Sequence, residues 1–291
     1  MLIDTGFNRE ECRTALFSGL KSLGVSLDNT DVFITHMHVD HCGLISAVAT
    51  EKNAIYCGEV DAKQINWALT PEYWPDNLAF AVAHGFPARQ YSGELQHHPV
   101  QIYGPDHPHD FSLIREGDVL EAGEYSFVAV ETPGHTPGHM CLYEPDKKIL
   151  VSGDHILNEI TPNITMFYEG LPDPLGHYLK SLDKVDRLDI DLVLPGHLGV
   201  IENAQERIAE LKQHYDNRLQ EVLSVMADDS MSAYKVASRI SWDLPLAWDQ
   251  FPLQHLWFAT GETISHLEHL RLQNKVRMLE HKETLLFELM K

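Results

Sequence analysis

The sequence predicts a layered fold in which sheets are covered by helices, and three observations carry that expectation. Short β-branched and apolar runs at residues 31–35, 125–130, 148–151 and 191–194 alternate with stretches of helical spacing. Each of those runs ends in a turn that carries histidine or aspartate. Beyond residue 200 the texture changes to a long amphipathic helix, shorter helices and a terminal hairpin pattern.

Taken in order, Leu2, Ile3, Asp4, Thr5 and Gly6 read as a strand entering a turn. Residues 9–23 have helical spacing, with Cys12, Leu16, Leu20 and Leu23 on one stripe and Gly24 as the stop. Residues 31–35 read as a buried strand, 44–50 as a helix and 54–57 as the next strand. Strands resume at 118–120 and 125–130, followed by 140–143 and 148–151. Residues 160–164 form a loop expected to border a pocket, and 175–188 a helix before the strand at 191–194. Ile201, Ala204, Ile208, Leu211, Tyr215, Leu219, Val222 and Met226 mark the long helix, which Asp228, Asp229 and Ser230 break. A short helix near 233–240, a Pro- and Trp-containing segment at 242–257 and a helix opened by Gly261, Glu262 and Thr263 follow. Residues 276–281 and 284–289 close the chain as a hairpin.

The densest chemistry lies in Thr35, His36, Met37, His38, Val39, Asp40 and His41, directly after the apolar Val32, Phe33 and Ile34. In layered α/β proteins, ligands bind at loops leaving the carboxyl ends of strands. His36 and His38, at alternate positions, can reach one ion if the strand direction persists. Asp40 and His41 lie past the bend and can serve a second. Imidazole and carboxylate suit zinc and its first-row neighbours. A cluster of solvated surface histidines is the competing explanation, and donors downstream weigh against it. Thr132, Pro133, Gly134, His135, Thr136, Pro137, Gly138 and His139 follow one strand. Ser152, Gly153, Asp154 and His155 follow another, and Pro195, Gly196 and His197 a third.

This repeated pattern, with the opening Leu2 to Gly6, resembles the metallo-β-lactamase superfamily of hydrolases, in its glyoxalase II-like and β-lactamase-like group. The resemblance implies an α+β, four-layer αββα fold. It implies a catalytic domain at residues 1–200 with a helical insertion or lid at 60–112, and a small winged-helix-like domain at 201–291. Mapped residue by residue, it puts His36, His38 and His135 on one metal and Asp40, His41 and His197 on a second, with Asp154 bridging. Asp4 would orient a ligand histidine from beneath, and His139 would either support the ligands from behind or be structural. Two divalent ions are implied, zinc first, with iron or manganese as alternatives. A water polarised between them would attack a carbonyl as hydroxide, with Asp40 orienting it and passing its proton to the leaving atom. The motifs identify no substrate-binding residue. Members of the superfamily run through one or two strands before the Leu-Ile-Asp-Thr-Gly motif. Such strands are expected either to lie upstream of Met1 or to be lost from the sheet edge.

Departures from the subfamilies narrow the chemistry. The best-known β-lactamase subclass has cysteine where Asp154 stands, which disfavours antibiotic hydrolysis. Flavin-linked di-iron members place an acid where this chain has His38, which favours hydrolysis. The basic glutathione-binding residues of glyoxalase II do not stand out after His197. A small ester, thioester or lactone with an apolar portion is therefore the expected substrate. A phosphodiesterase or nuclease with the same centre is the alternative, and a ligand sensor retaining the fold is a third reading.

Composition bounds the rest. A formal charge of −21 over 291 residues disfavours phosphate backbones and anionic membranes as partners. The terminal segment that would enter a DNA groove carries Glu262, Glu268, Arg271 and Lys275, a nearly neutral set. Packing or a homodimer contact is the expected role there instead. Cys12, Cys42, Cys57 and Cys141 have neither metal nor disulfide spacing, and only Cys42 adjoins the motif. No signal-peptide pattern or long apolar run appears, so a cytoplasmic location is expected. The insertion holds aromatics (Trp67, Tyr73, Trp74, Phe80, Phe86, Tyr91, Tyr103) and histidines (His84, His97, His98, His107, His109) without ligand spacing. The aromatics would form either a lid over an apolar pocket or a packing surface.

Overall fold

The computed structural model describes residues 1–91, 99–166, 170–227 and 229–290. His97 and His98 of the insertion, the side chain of Tyr91, and Asp228 at the expected helix break lie outside the described residues.

Strand β1 (Leu2–Ile3) leads into helix α1 (Glu10–Ser22), whose first turn carries Glu10 and Glu11 and whose last carries Lys21, matching the helix dipole. Leu20 is its buried residue, and Gly24 ends it at φ +66°. Leu23, expected on the buried stripe, is instead 79% exposed. It caps the helix, where the chain already turns away. Strand β2 (Val32–Ile34) is followed by two short helices, α2 (Val39–Cys42) and α3 (Ile45–Val48), and by β3 (Ile55–Gly58). The expected helix over 44–50 shrinks to α3 because Ala49 is already extended.

The insertion contains α4 (Glu59–Ala68), α5 (Tyr73–Ala83) and α6 (Pro99–Tyr103), then a strand the sequence did not reveal, β4 (Ser112–Ile114). Three residues, two of them exposed, are too few to show alternation. Strands β5 (Val119–Ala122), β6 (Tyr125–Glu131), β7 (Met140–Glu144) and β8 (Ile149–Gly153) follow, then α7 (Pro174–Val185) and β9 (Leu192–Pro195).

Strands β1 to β4 form one parallel sheet in sequence order. Strands β5 to β9 form a second, antiparallel except for the parallel β8–β9 pair. Side-chain alternation along each strand builds the layers. On β2, Val32 and Ile34 face a core shared with Cys42, Ile45 and Ile65 of the helices, while Phe33 faces the other sheet. Between the sheets Phe33 meets Phe127, Ala129, Met140, Leu142 and Val151. The alternate residues Val130, Cys141 and Leu150 face outward onto Leu175, Tyr178 and Leu182 of α7. The result is the four-layer αββα sandwich, with further helices added at the carboxyl end.

Those helices are α8 (Ala204–Val225), α9 (Ala233–Ala237) and α10 (Leu253–Leu272), and the hairpin β10 (Val276–His281) and β11 (Thr284–Leu289) follows. Ile201, read from the sequence as helical, instead bridges Val193 in an extended segment. Asn203 then caps α8 by accepting from the Glu206 N–H. Helix α10 starts eight residues before the expected Gly261, at the residue after Pro252. Gly261 sits inside it, buried. The insertion's aromatics are used in packing: Trp74 and Phe86 lie 4.9 and 5.3 Å from the Trp257 ring of α10, and Trp67 lies 4.9 Å from Tyr73. Among the described residues, no helix is long and apolar enough to cross a membrane.

Candidate metal centre

Four strand ends deliver the donors to one place. The chain bends at His36 and Met37 just after β2, His38 is extended again, and α2 then turns Asp40 and His41 toward them. His135 comes from the β6–β7 turn, Asp154 follows β8 and His197 follows β9. His36, His38 and His135 form one group, and Asp40, His41 and His197 another. Asp154 joins His36 and His41 in a third, and within each group the donor atoms lie within 4.8 Å of one another. Asp154 Oδ1 is 3.4 Å from His41 Nε2, while its Oδ2 is 3.6 Å from His135 Nε2 and 3.5 Å from His197 Nε2. All seven donors named from the sequence are thus brought together.

The hydrogen bonds fix which imidazole nitrogens carry lone pairs. Thr35 Oγ1 donates to Asp4 Oδ2 at 2.8 Å, so at 2.9 Å it must accept from His36 Nδ1, leaving Nε2 as acceptor. His41 Nδ1 donates to Asp4 Oδ2 at 2.7 Å, and His135 Nδ1 to the Asn163 carbonyl at 2.8 Å. Three Nε2 lone pairs therefore point inward. His38 presents Nδ1, 3.1 Å from His36 Nε2.

Two cations fit this arrangement. His135 Nε2 and Asp154 Oδ1 are buried without a hydrogen-bond partner, a costly state that a bound cation removes. The donor set, imidazoles with carboxylates, suits zinc, iron or manganese alike.

Charge is distributed unevenly. Burial pulls His36 and His135 below the usual imidazole range, and takes His38 down to about 3 with the neighbouring His135 adding to it. Burial acts the same way on His41, but Asp4 and Asp154 outweigh it and raise this ring well above its ordinary value. His197, whose Nε2 lies 3.5 Å from the Asp154 carboxylate and 3.3 Å from that of Asp40, rises to about 9. Burial pushes Asp40 and Asp154 upward, yet the close His197 and His41 imidazoles bring Asp40 to about 2 and Asp154 far below the carboxylate range.

Around the donors stands a ring of supports. Asp4 takes the Thr35 N–H at 2.8 Å as well as the Thr35 hydroxyl and His41. His139 accepts the Asp154 N–H at 3.1 Å and faces the Thr132 hydroxyl at 2.7 Å, so both its nitrogens are engaged. Sequence reasoning missed Asp61 of α4. This fully buried carboxylate accepts from Met37 N–H at 2.9 Å, Gly138 N–H at 2.6 Å and the Thr136 hydroxyl at 2.5 Å. It ties the first ligand loop to the His135 turn. Its only sequence signal was an acid on the buried stripe with Ala62, Ile65 and Ala68. Tyr178 and Ser181 of α7, equally unforeseen, donate to the carbonyls of His155 and Pro133. Gly134, at φ +147°, passes so close to Tyr178 that a Cβ would fall 2.4 Å from the tyrosine Cβ.

Cys42 is buried, donates to the Met37 carbonyl, and burial pushes its thiol well up. It is a packed thiol. A cavity of about 410 Å³ reaches the cluster on the side of Asp4, Asp40 and His41, with Ile3, Val151 and Leu194 as apolar walls.

Comparison with known proteins agrees with this geometry. The profile of the Metallo-beta-lactamase superfamily matches residues 1–197. The chain is 25% identical to the probable metallo-hydrolase YqjP of Bacillus subtilis (strain 168), over 100% of this chain and 90% of that relative. It is 27% identical to the acyl-coenzyme A thioesterase MBLAC2 of Bos taurus, over 74% of each. The crystal structure of a beta-lactamase domain protein from Burkholderia ambifaria superposes with a TM-score of 0.82 at 25% identity, covering 99% of this chain and 83% of that one. Fold, donor cluster and profile together describe a metal-dependent hydrolase, and the chain belongs to the metallo-beta-lactamase superfamily.

Proposed function

We propose that this enzyme hydrolyses a small ester, thioester or lactone carrying an apolar portion, with the thioester foremost. The observation that carries the reading is the convergence of seven donors, with buried, unpartnered Nε2 and Oδ1 atoms among them. The similarity to an acyl-coenzyme A thioesterase supports the thioester.

In this reading His36, His38 and His135 hold one ion, Asp40, His41 and His197 the other, and Asp154 both. Zinc is the favoured metal. Two such cations supply Lewis acidity and bring the pKa of water toward neutrality. Asp40 Oδ2, ionised and 3.3 Å from His197 Nε2, is the atom assigned to accept the nucleophile's proton and return it to the leaving atom. No side-chain nucleophile is required, and the buried Cys42 offers none.

The chain is proposed to divide near residue 200, with 1–200 catalytic and 201–291 a winged-helix-like appendage. Residues 60–112 are proposed as an insertion bordering the substrate. Its packing of Trp74 and Phe86 onto Trp257 supports a role joining the two parts. Nucleic acid is disfavoured as substrate by the charge of −21 and by Arg271, which is committed to Glu268 at 2.6 Å.

The test pairs elemental analysis with turnover of a thioester, an ester and a lactone. About two metal ions per chain and turnover abolished by Asp154→Ala are expected. No turnover across a broad panel of such carbonyl substrates would sink the substrate class. Cleavage of phosphodiesters that His38→Ala abolishes would replace it with a nuclease.

A further inference from the structure

The segment 157–166 is a strap between the donor cluster and the helices after residue 200. Its Asn163 carbonyl accepts from His135 Nδ1 and so sets the tautomer and aim of that ring. Helices α8 and α10 anchor the strap at four further points. The Tyr215 hydroxyl donates to the Pro162 carbonyl. Arg207 donates from Nε to the Leu157 carbonyl at 2.8 Å and from Nη2 to the Ile160 carbonyl at 2.7 Å. The Met166 N–H donates to the Gly261 carbonyl of α10 at 3.1 Å.

The bond from Tyr215 matters most because of where it lands. The Pro162 carbonyl belongs to the peptide plane immediately before the one that carries the Asn163 carbonyl, and the two planes share the Asn163 Cα. Fixing one restricts the other to rotation about two bonds. The Asn163 side chain adds no anchor of its own at Oδ1, which is buried without a partner. Tyr215 is fully buried and packs its ring 5.2 Å from that of Tyr178, which braces the Asp154 loop. Its hydroxyl therefore has a defined direction.

We infer that Tyr215, assisted by Arg207, is a positioning residue for His135: α8 sets the Asn163 carbonyl, and the carbonyl aims the ring at its metal. The inference rests on the proposed assignment of His135 as a ligand. It makes the segment beyond residue 200 part of the metal site although it supplies no donor.

The experiment measures Zn²⁺ and Co²⁺ binding to the full metal-free chain by competition with a chromophoric chelator, without substrate. Tyr215→Phe is expected to weaken one of two binding events by about 10-fold, and to alter the visible spectrum of the cobalt form. The other event should stay unchanged. Arg207→Met, which removes two strap bonds and leaves the tyrosine, should shift the same event in the same direction. Tyr143→Phe is the control, because its hydroxyl makes a like bond to the Asp189 carbonyl at 2.8 Å, at the other end of β7 and β9 from the ligand turns. A merely structural role would lower melting temperature in Tyr215→Phe while leaving both affinities and the cobalt spectrum like those of Tyr143→Phe, and would overturn the inference. Failure of the parent chain to bind metal would instead sink the proposed function itself.

Discussion

Asp4 holds His41 from beneath, with Oδ2 2.7 Å from Nδ1, and the same carboxylate takes both the N–H and the hydroxyl of Thr35. Asp4 does this from a left-handed backbone, φ +56°, which is uncommon for a residue with a side chain. One acid thus aims His41 directly and His36 through Thr35. Asp4→Ala is expected to lower metal affinity by about 10- to 100-fold, read by chelator competition. Affinity equal to the parent would remove Asp4 from the site's support.

Metal uptake should release protons. His197 lies at about 9 and so carries a proton at pH 7 in the metal-free chain, while His41, also raised, keeps its Nε2 lone pair toward it at 3.1 Å, so the pair holds one extra proton. Imidazole must be neutral to bind a cation, whereas Asp40 and Asp154 are already ionised and have nothing to lose. Loading at pH 7 is expected to release about one proton per chain from this pair, and affinity should climb as pH rises toward 9. Calorimetry in buffers of different ionisation heat reads the number. Release of none would contradict the charge state.

Asp61→Asn should destabilise the fold around the first ligand loop. The carboxylate accepts three donors, and an amide would turn its NH₂ toward at least one of them. A loss of about 2–4 kcal/mol is expected in urea unfolding of the metal-free chain. A change within experimental error would show that the loops are held elsewhere.

Gly134→Ala is expected to be worse than a routine glycine substitution. It meets both a φ of +147° and a contact of 2.4 Å with the Tyr178 Cβ. The His135 turn or α7 must move, so metal stoichiometry and melting temperature should fall together. A variant that melts and binds metal like the parent would show slack that the packing does not suggest.

Glu262 lies in α10 close to Arg218, and burial pushes its carboxyl up to about 7 despite that arginine. Its folded pKa exceeds the unfolded value, so the favourable contribution is complete below about pH 4.5 and is lost as pH rises through 7. Glu262→Gln is therefore expected to be more stable than the parent by about 1–3 kcal/mol at pH 8 and nearly equal at pH 4.5. Thermal melts at the two pH values decide it. Equal stability at pH 8 would mean the carboxylate is well solvated.

The sequence by itself picked out the seven residues that the structure gathers and the strands that deliver them. His36, His38, His135, Asp154 and His197 lie in the segments that follow apolar strands, and Asp40 and His41 in the short helix α2 just beyond, so the order read along the chain carries over into the fold. Short β-branched and apolar runs likewise marked most of the strands, because that composition is a property of neighbours along the chain. Tertiary structure decided everything that needed a distant partner. His41 meets His197 across 156 positions, and Asp61 meets Gly138 across 77. Leu23 and Ile201 fit a helical period and fell outside their helices, because capping and a bridge to Val193 override spacing. Gly261 looked like a helix start, yet Pro252 and the packing of Leu256 and Trp257 move that start upstream. That Trp74 and Phe86 of the insertion pack on Trp257 of α10 was likewise invisible in the sequence. Spacing specifies which face a side chain takes, and only the packed chain specifies what it faces.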